Sequence, residues 1–328
     1  MNRRAFLAAL GTAGAGLAAP GPAGTLLAGQ AAGSAASEDE PLASLYDLSQ
    51  CVGCGACVAA CREAHASDFP EPKKPFPKMS PASVKAEDFS DKRDVDDRLT
   101  PYNWLFIQTA TVTKDGRPLD VHIPRRCMHC QNPPCAGLCP WGAATRAGNG
   151  AVAIDPAICL GGAKCRTVCP WHIPQRQTGV GLYLDLLPRF AGNGVMYKCD
   201  RCQARARAGQ APACLEACPN GVQTMGPRSA MVAAAKALAR DTGGFVYGET
   251  ENGGTNTLYV SPVPFATLQA ALETGPGRPG LGPTDDVMGE EANLATAVLL
   301  APVAGLAAGL LRLAGQAKSQ PDKEENRG

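Results

Sequence analysis

The feature that most limits what this chain can become is the placement of its fifteen cysteines, which crowd into four short motifs between residues 51 and 218. The first is Cys51, Cys54, Cys57 and Cys61, spaced C-x2-C-x2-C-x3-C. The second is Cys127, Cys130, Cys135 and Cys139, spaced C-x2-C-x4-C-x3-C and followed by Pro140. The third holds only Cys159, Cys165 and Cys169, followed by Pro170. The fourth is Cys199, Cys202, Cys214 and Cys218, spaced C-x2-C-x11-C-x3-C and followed by Pro219. An odd number of tightly grouped thiols makes a poor disulfide framework and points to metal or iron–sulfur ligation.

Three thiolates on one tight loop can wrap three corners of an iron–sulfur cubane. The x3 gap then passes into a helix and turns the last cysteine toward a different cluster, as in two-cluster bacterial ferredoxins. Zinc is the chemical rival, but zinc sites usually take two separated pairs of ligands. Only Cys199-x2-Cys202 with Cys214-x3-Cys218 could pass for one. In the third motif the regular spacing would place a cysteine at 162, where the sequence has Gly162. Glycine offers no donor, so one iron corner lacks a protein ligand. The expectation is a three-iron cluster there, the alternative a four-iron cluster capped by water or by another group. Lys164 beside it either tunes the site or is simply solvated.

Composition adds boundaries. The 328 residues suffice for one large or two ordinary domains. Gly and Pro number 37 and 28 and aromatics make up 5%, which reads as loop-rich protein with little aromatic core. A net charge of +1 argues against nucleic-acid binding driven by bulk charge. Residues 1–36 carry Arg3-Arg4 before an Ala/Gly/Leu-rich stretch and read as a twin-arginine export signal, with cleavage near Ala35-Ala36. Proteins taking that route cross already folded, which reconciles many thiols with an oxidising destination. Leu294–Leu311 is an 18-residue run without a charge; as a helix it is ~27 Å long, close to the thickness of a bilayer's hydrocarbon. The expectation is a transmembrane anchor over 288–314 with a cytoplasmic tail over 315–328, since Lys/Arg bias puts the C-terminus inside. Ala301, Gly305 and Gly309 would let a second helix approach closely.

Between these ends, 67–99 reads as loop and Asn103–Thr113 as a strand. Lys114-Asp115-Gly116 reads as a turn, Leu119–Ile123 as the return strand and Ala151–Ile154 as another strand. Residues 178–193 read as a surface insertion. Ser229–Arg240 reads as a helix capped by Ser229, and 270–287 as a linker. The four histidines, His65, His122, His129 and His172, read chiefly as packing or surface residues. His129 and His172 lie close enough to cysteines to approach a cluster or a quinone. Trp141 and Trp171 are expected to cover clusters.

Four motifs of this spacing over residues 45–230 resemble the iron–sulfur beta subunits of membrane oxidoreductases. That group includes formate dehydrogenase, nitrate, dimethyl sulfoxide and polysulfide reductases, and hydrogenase-2-type HybA proteins. Gly253–Val260 (GGTNTLYV) with one C-terminal span resembles formate dehydrogenase beta and HybA. Leu45–Val58 and the leader MNRRAF are most similar to HybA, which usually keeps a cysteine where this chain has Gly162. Nitrate reductase beta subunits carry a non-cysteine residue there and a three-iron cluster. The resemblance implies an α+β fold of two ferredoxin-like two-cluster modules, with an inserted β-hairpin and one C-terminal transmembrane helix. The four-cluster domain would span 37–240 and an extension and linker 241–287. It implies four ligand sets: Cys51, Cys54, Cys57 with Cys218; Cys61 with Cys199, Cys202, Cys214; Cys127, Cys130, Cys135 with Cys169; and Cys139 with Cys159, Cys165. The first three would hold [4Fe-4S] clusters and the last a [3Fe-4S] cluster. The implied role is a relay of single electrons between a periplasmic catalytic subunit and a multi-span, quinone-handling membrane subunit. The chain would sit at the periplasmic face of the cytoplasmic membrane, with 294–311 in the lipid bilayer. It would bind no nucleic acid and would not itself be an enzyme. Two alternatives stand beside this: a self-contained reductase using an open iron at Gly162, and a zinc- or disulfide-stapled surface protein.

Overall fold

The structure is a computed structural model and describes residues 40–79, 82–186, 189 and 194–289. The expected signal, 1–36, and the apolar run, 294–311, lie outside the described residues. Among the described residues no helix is long and apolar enough to cross a membrane.

Strand β1 (Leu42–Asp47) leads into the first cysteine loop and α1 (Ala56–Ala64). A long irregular segment reaches the hairpin β2 (Phe106–Lys114) and β3 (Arg117–Arg125). The second loop carries α2 (Pro134–Gly137) and closes on the short hairpin β4 (Ala144–Arg146) and β5 (Val152–Ile154). The third carries α3 (Lys164–Thr167), then β6 (Gln175–Gln177), α4 (Tyr183–Leu186) and β7 (Val195–Tyr197). The fourth carries α5 (Gln203–Arg207) and α6 (Ala213–Glu216). The chain continues through β8 (Gln223–Pro227), α7 (Arg228–Thr242), β9 (Phe245–Tyr247), β10 (Thr257–Ser261) and α8 (Phe265–Ala271). The result is a mixed α and β fold in which small paired strands frame cysteine loops.

The main sheet has the order β8-β1-β10-β9. β1 runs parallel to β10 and antiparallel to β8. Strand alternation gives the sheet two different faces. Leu45, Leu258 and Val260 pack against Ala235 of α7, with Met231 and Leu238 alongside. The opposite face presents Ser44, Tyr46, Thr257 and Tyr259, all buried toward the cysteine loops. Tyr46 and Tyr259 stack there at 5.2 Å between ring centres.

The β2–β3 hairpin closes through Asp115 and Gly116, both with positive φ (51° and 74°), with Lys114 opposite Arg117. Two successive positive φ values match the right-handed twist of paired strands, which is why Asp-Gly suits this turn. The strand begins at Phe106 and not at Asn103. Asn103 is tied back instead, exchanging backbone hydrogen bonds with Thr100 and donating its amide to the Arg98 carbonyl. Helix α7 starts at Arg228, and Pro227 holds its cap position. Ser229 therefore lies in the first turn, where its N–H and hydroxyl both donate to Glu40. Gly243 ends the helix in the left-handed conformation.

The segment read as a linker is packed. Residues 272–289 lie against the body: Leu272 and Leu281 are buried, and Arg278 pairs with Asp97. Of the expected surface insertion, Thr178 and Tyr183 are buried, while Leu182 and Leu186 are exposed. The irregular segment after α1 is also pinned. Glu87 takes a bidentate pair from Arg166 (2.7 and 2.8 Å) and a third bond from Arg176 (2.7 Å), strapping it across the third cysteine loop and β6.

Candidate cofactor site: four sets of thiols

All fifteen cysteines are free, and nine of them are buried. The four loops share one local geometry. Two residues after the leading cysteine stands a left-handed residue: Gly53 (φ 67°), His129 (48°), Gly161 (65°) and Arg201 (62°). That turn swings the backbone back over the leading sulfur. The N–H of His129 donates to Cys127 Sγ and that of Arg201 to Cys199 Sγ, each at 3.4 Å. The next position holds Cys54, Cys130 and Cys202 in three loops and Gly162 in the fourth, so the sequence register of the gap is also its structural register. After the closing Cys-Pro a second left-handed residue follows, namely Gly142, His172 and Gly221. His172 is thus a turn residue, exposed and set against the Arg166 carbonyl at 3.1 Å.

Short helices α2, α3 and α6 each carry a penultimate cysteine and deliver the last one four residues on. This brings thiols from distant motifs together. Cys51, Cys54, Cys57 and Cys218 line a mostly apolar pocket, with Cys214 also on its wall. Cys127, Cys130, Cys135 and Cys169 line a second, with Lys198 and Trp171. Cys61 lies within electrostatic reach of Cys199, Cys202 and Cys214. Cys165 lies within reach of Cys159 and Cys139. Neighbouring groups also touch electrostatically: Cys57 and Cys61 both sense Cys214, Cys199 senses Cys127, and Cys165 senses Cys135. The four groups therefore form a series. The end containing Cys54 is exposed, and the middle is buried.

Burial pushes the thiols of Cys57, Cys165, Cys169 and Cys199 up to about 12. Mutual repulsion adds to this for Cys57 and Cys165. Such thiols ionise only when a metal centre takes the thiolate. Cys139 goes the other way. Burial raises it, but the backbone N–H groups of Ala144, Trp141, Ala143 and Gly142 outweigh that and hold it below the usual thiol value.

Three cations are buried among these sulfurs. Arg126 donates to Ser44 Oγ (2.7 Å), lies 3.9 Å from Cys214 Sγ and sits over the Tyr46 ring. Arg201 donates to the carbonyls of Leu42 and Asn149. Lys198 donates to the carbonyls of Val152 and Cys199. Arg126 Nε and Arg201 Nε and Nη2 are buried without a hydrogen-bond partner. Among the described residues none of the three cations pairs with a carboxylate. An uncompensated buried cation is costly. Thiolate-ligated iron–sulfur clusters are anionic and would supply the missing charge, so the residues present fit such a group.

Histidine roles were only partly legible. Val152 N–H donates to His129 Nδ1 at 2.9 Å, which places the ring proton on Nε2. That proton points to Cys199 Sγ at 3.7 Å, while the His129 N–H serves Cys127, so one buried residue touches two groups. His65 Nε2 lies 3.4 Å from Cys202 Sγ and its Nδ1 2.9 Å from Asp68. Burial lowers His65, but the bonds to Cys202 and Asp68 raise it to about 9. His129 is signalled by its place inside the second motif, whereas His65 falls outside every motif and has no sequence signal. Trp171 is buried and donates to Tyr247 Oη at 2.9 Å, covering the second cavity. Trp141, before the equivalent turn at Gly142, is instead 58% exposed and lines neither of these cavities among the described residues.

Comparison with known proteins agrees with this chemistry. Two profiles described as 4Fe-4S dicluster domains match residues 50–143 and 120–228. The chain is 30% identical to the hydrogenase-2 operon protein HybA of Escherichia coli O157:H7 over 310 residues, 82% of this chain and 83% of that protein. It is 30% identical over 228 residues to the iron–sulfur subunit of the nitrate-inducible formate dehydrogenase of Escherichia coli K12, 67% of each chain. It is 30% identical over 183 residues to the thiosulfate reductase electron transfer subunit PhsB of Salmonella typhi, 56% of this chain and 73% of that one. With paired loops, converging thiols and relatives of this kind, the chain belongs to the family of iron–sulfur electron-transfer subunits built on 4Fe-4S dicluster domains.

Proposed function

We propose that this chain is the electron relay of a membrane-bound oxidoreductase complex. The observation that carries the reading is the series of four thiol groups, each within electrostatic reach of the next. The proposed ligands are Cys51, Cys54, Cys57 and Cys218; Cys61, Cys199, Cys202 and Cys214; and Cys127, Cys130, Cys135 and Cys169, for three four-iron clusters. Cys139, Cys159 and Cys165 would hold a three-iron cluster. Bound clusters supply one-electron centres whose potentials follow ligand type, hydrogen bonds to sulfur and burial. The protein's part is to space the thiols, exclude water with Trp171 and Tyr247, and direct N–H groups at sulfur. The catalytic partner would be a hydrogenase or molybdopterin subunit outside the membrane, with a quinone-handling membrane subunit at the other end. Export by the twin-arginine route and anchoring through 294–311 complete the proposal, and fractionation of tagged protein tests them.

Anaerobic purification tests the core reading. A brown protein with ~14–16 iron and matching labile sulfide per chain is expected. Colourless protein with zinc or with paired cysteines refutes it. The solvent-open position of Gly162 favours one second reading, a self-contained reductase with substrate at that iron. Turnover by the isolated chain would select it.

A further inference from the structure

The three buried cations are not spread evenly along the relay. Lys198 lines the cavity framed by Cys127, Cys130, Cys135 and Cys169, and two backbone carbonyls fix its ammonium there. Arg126 reaches Cys214 on one side and lies within range of Cys199 on the other. Arg201 packs beside the same Cys199. All three surround the two interior groups. The end groups have different settings: Asn220 and Gln223 line the first cavity, and the last has backbone N–H groups and the exposed Gly162.

From this placement we infer that Lys198 and Arg126 are the fixed counter-charges of the interior clusters, with Lys198 setting the potential of the one held by Cys127, Cys130, Cys135 and Cys169. The inference rests on the relay reading above. Adding an electron to a buried anionic centre is easier beside a positive charge, because the attraction is poorly screened in a low-dielectric interior. The ammonium is held by the Val152 and Cys199 carbonyls and so cannot swing away to solvent when the cluster changes charge. Arg126 is similarly fixed, by Ser44 Oγ and by stacking over Tyr46. Both residues act through the cluster and are positioning residues.

The test is an EPR-monitored redox titration of the anaerobically purified full chain, with iron and labile sulfide counted first. Lys198→Met removes the charge and keeps most of the stem. Lys198→Arg keeps the charge. The expected result is that Lys198→Met retains its iron, and the reduction equilibrium constant of one cluster falls on the order of tenfold, 59 mV for a one-electron couple. Lys198→Arg is expected to stay within threefold of wild type, and Arg126→Met to shift a different cluster. Full iron in Lys198→Met with every potential unchanged overturns the inference and leaves the relay intact. Loss of iron from both Met and Arg variants also overturns it, since packing would then be the role of residue 198. Loss from Met alone, with full loading in Arg, supports it. Wild-type protein without iron would sink the relay reading itself.

Discussion

A cysteine placed at 162 is the sharpest single perturbation of this molecule. A Cβ built on Gly162 meets nothing within 4 Å, and its backbone is outside the left-handed region. The substitution therefore needs no repacking. By restricting the unfolded chain it should stabilise the cluster-free protein by about 0.4–1 kcal/mol, the usual gain when a glycine in an ordinary conformation is replaced. Gly161 next to it has φ 65°, so Gly161→Ala serves as the contrasting control, costing about 1–2 kcal/mol. On the proposed ligand set, the added thiolate would complete a fourth corner beside Cys139, Cys159 and Cys165. Iron content should rise by about one per chain, as a three-iron centre becomes a four-iron one. EPR of the oxidised protein should show a three-iron signal in wild type and none in Gly162→Cys. Urea unfolding of the apo forms checks the stability arm. A three-iron signal that persists at full strength in the cysteine variant, with unchanged iron, would refute the reasoning that Gly162 is the missing ligand.

Other consequences are as open to measurement. Glu87→Gln removes the charge that holds Arg166 and Arg176 and should cost about 2 kcal/mol, with Arg176 left buried and half-paired; denaturant midpoints at pH 7 check this. Burial raises the Glu87 carboxyl, but Arg166 and Arg176 outweigh it and hold it below its ordinary 4.5. Its contribution is thus present above that value and lost as pH falls through the lower native one, so wild-type stability should drop more steeply there than that of the Gln variant. Trp171→Phe deletes the bond to Tyr247 and should cost about 1 kcal/mol or more in thermal unfolding, with faster loss of colour in air. Gly194→Ala forces a Cβ to 2.0 Å from the Gln177 carbonyl at φ 114° and should cost about 3 kcal/mol or more, seen as loss of soluble protein.

What could be read in advance were features with short-range causes. Asp115-Gly116 announces its hairpin because positive φ is local chemistry. Helix α7 shows itself by its alanine-rich run, although its cap could not be assigned, since Glu40 arrives from the far side of the chain to take the Ser229 N–H. The motifs disclosed the chemistry because thiol spacing is itself local. The strap at Glu87 and the packing of 272–289 stayed hidden, as both depend on partners about eighty to one hundred and eighty residues away. The buried cations were illegible for a related reason. Arg126, Lys198 and Arg201 adjoin cysteines in sequence, and nothing in composition says that a charged neighbour turns inward.

The position of β1 has a consequence for biosynthesis. This strand lies near the start of the described chain yet sits between β8 and β10, so one edge stays open until residue 227 has been made and the other until residue 261. The same long-range closure brings Cys218 to Cys51 and Cys199 to Cys61. Contacts so distant in sequence are slow to form, and until they form the nascent chain exposes unpaired strand and thiols. The loops spanning 127–169 could complete their own groups while the ribosome is still working. Those at the two extremes must wait until residue 218 has been made, and that interval is when an assembly factor or a metal supply would have to act.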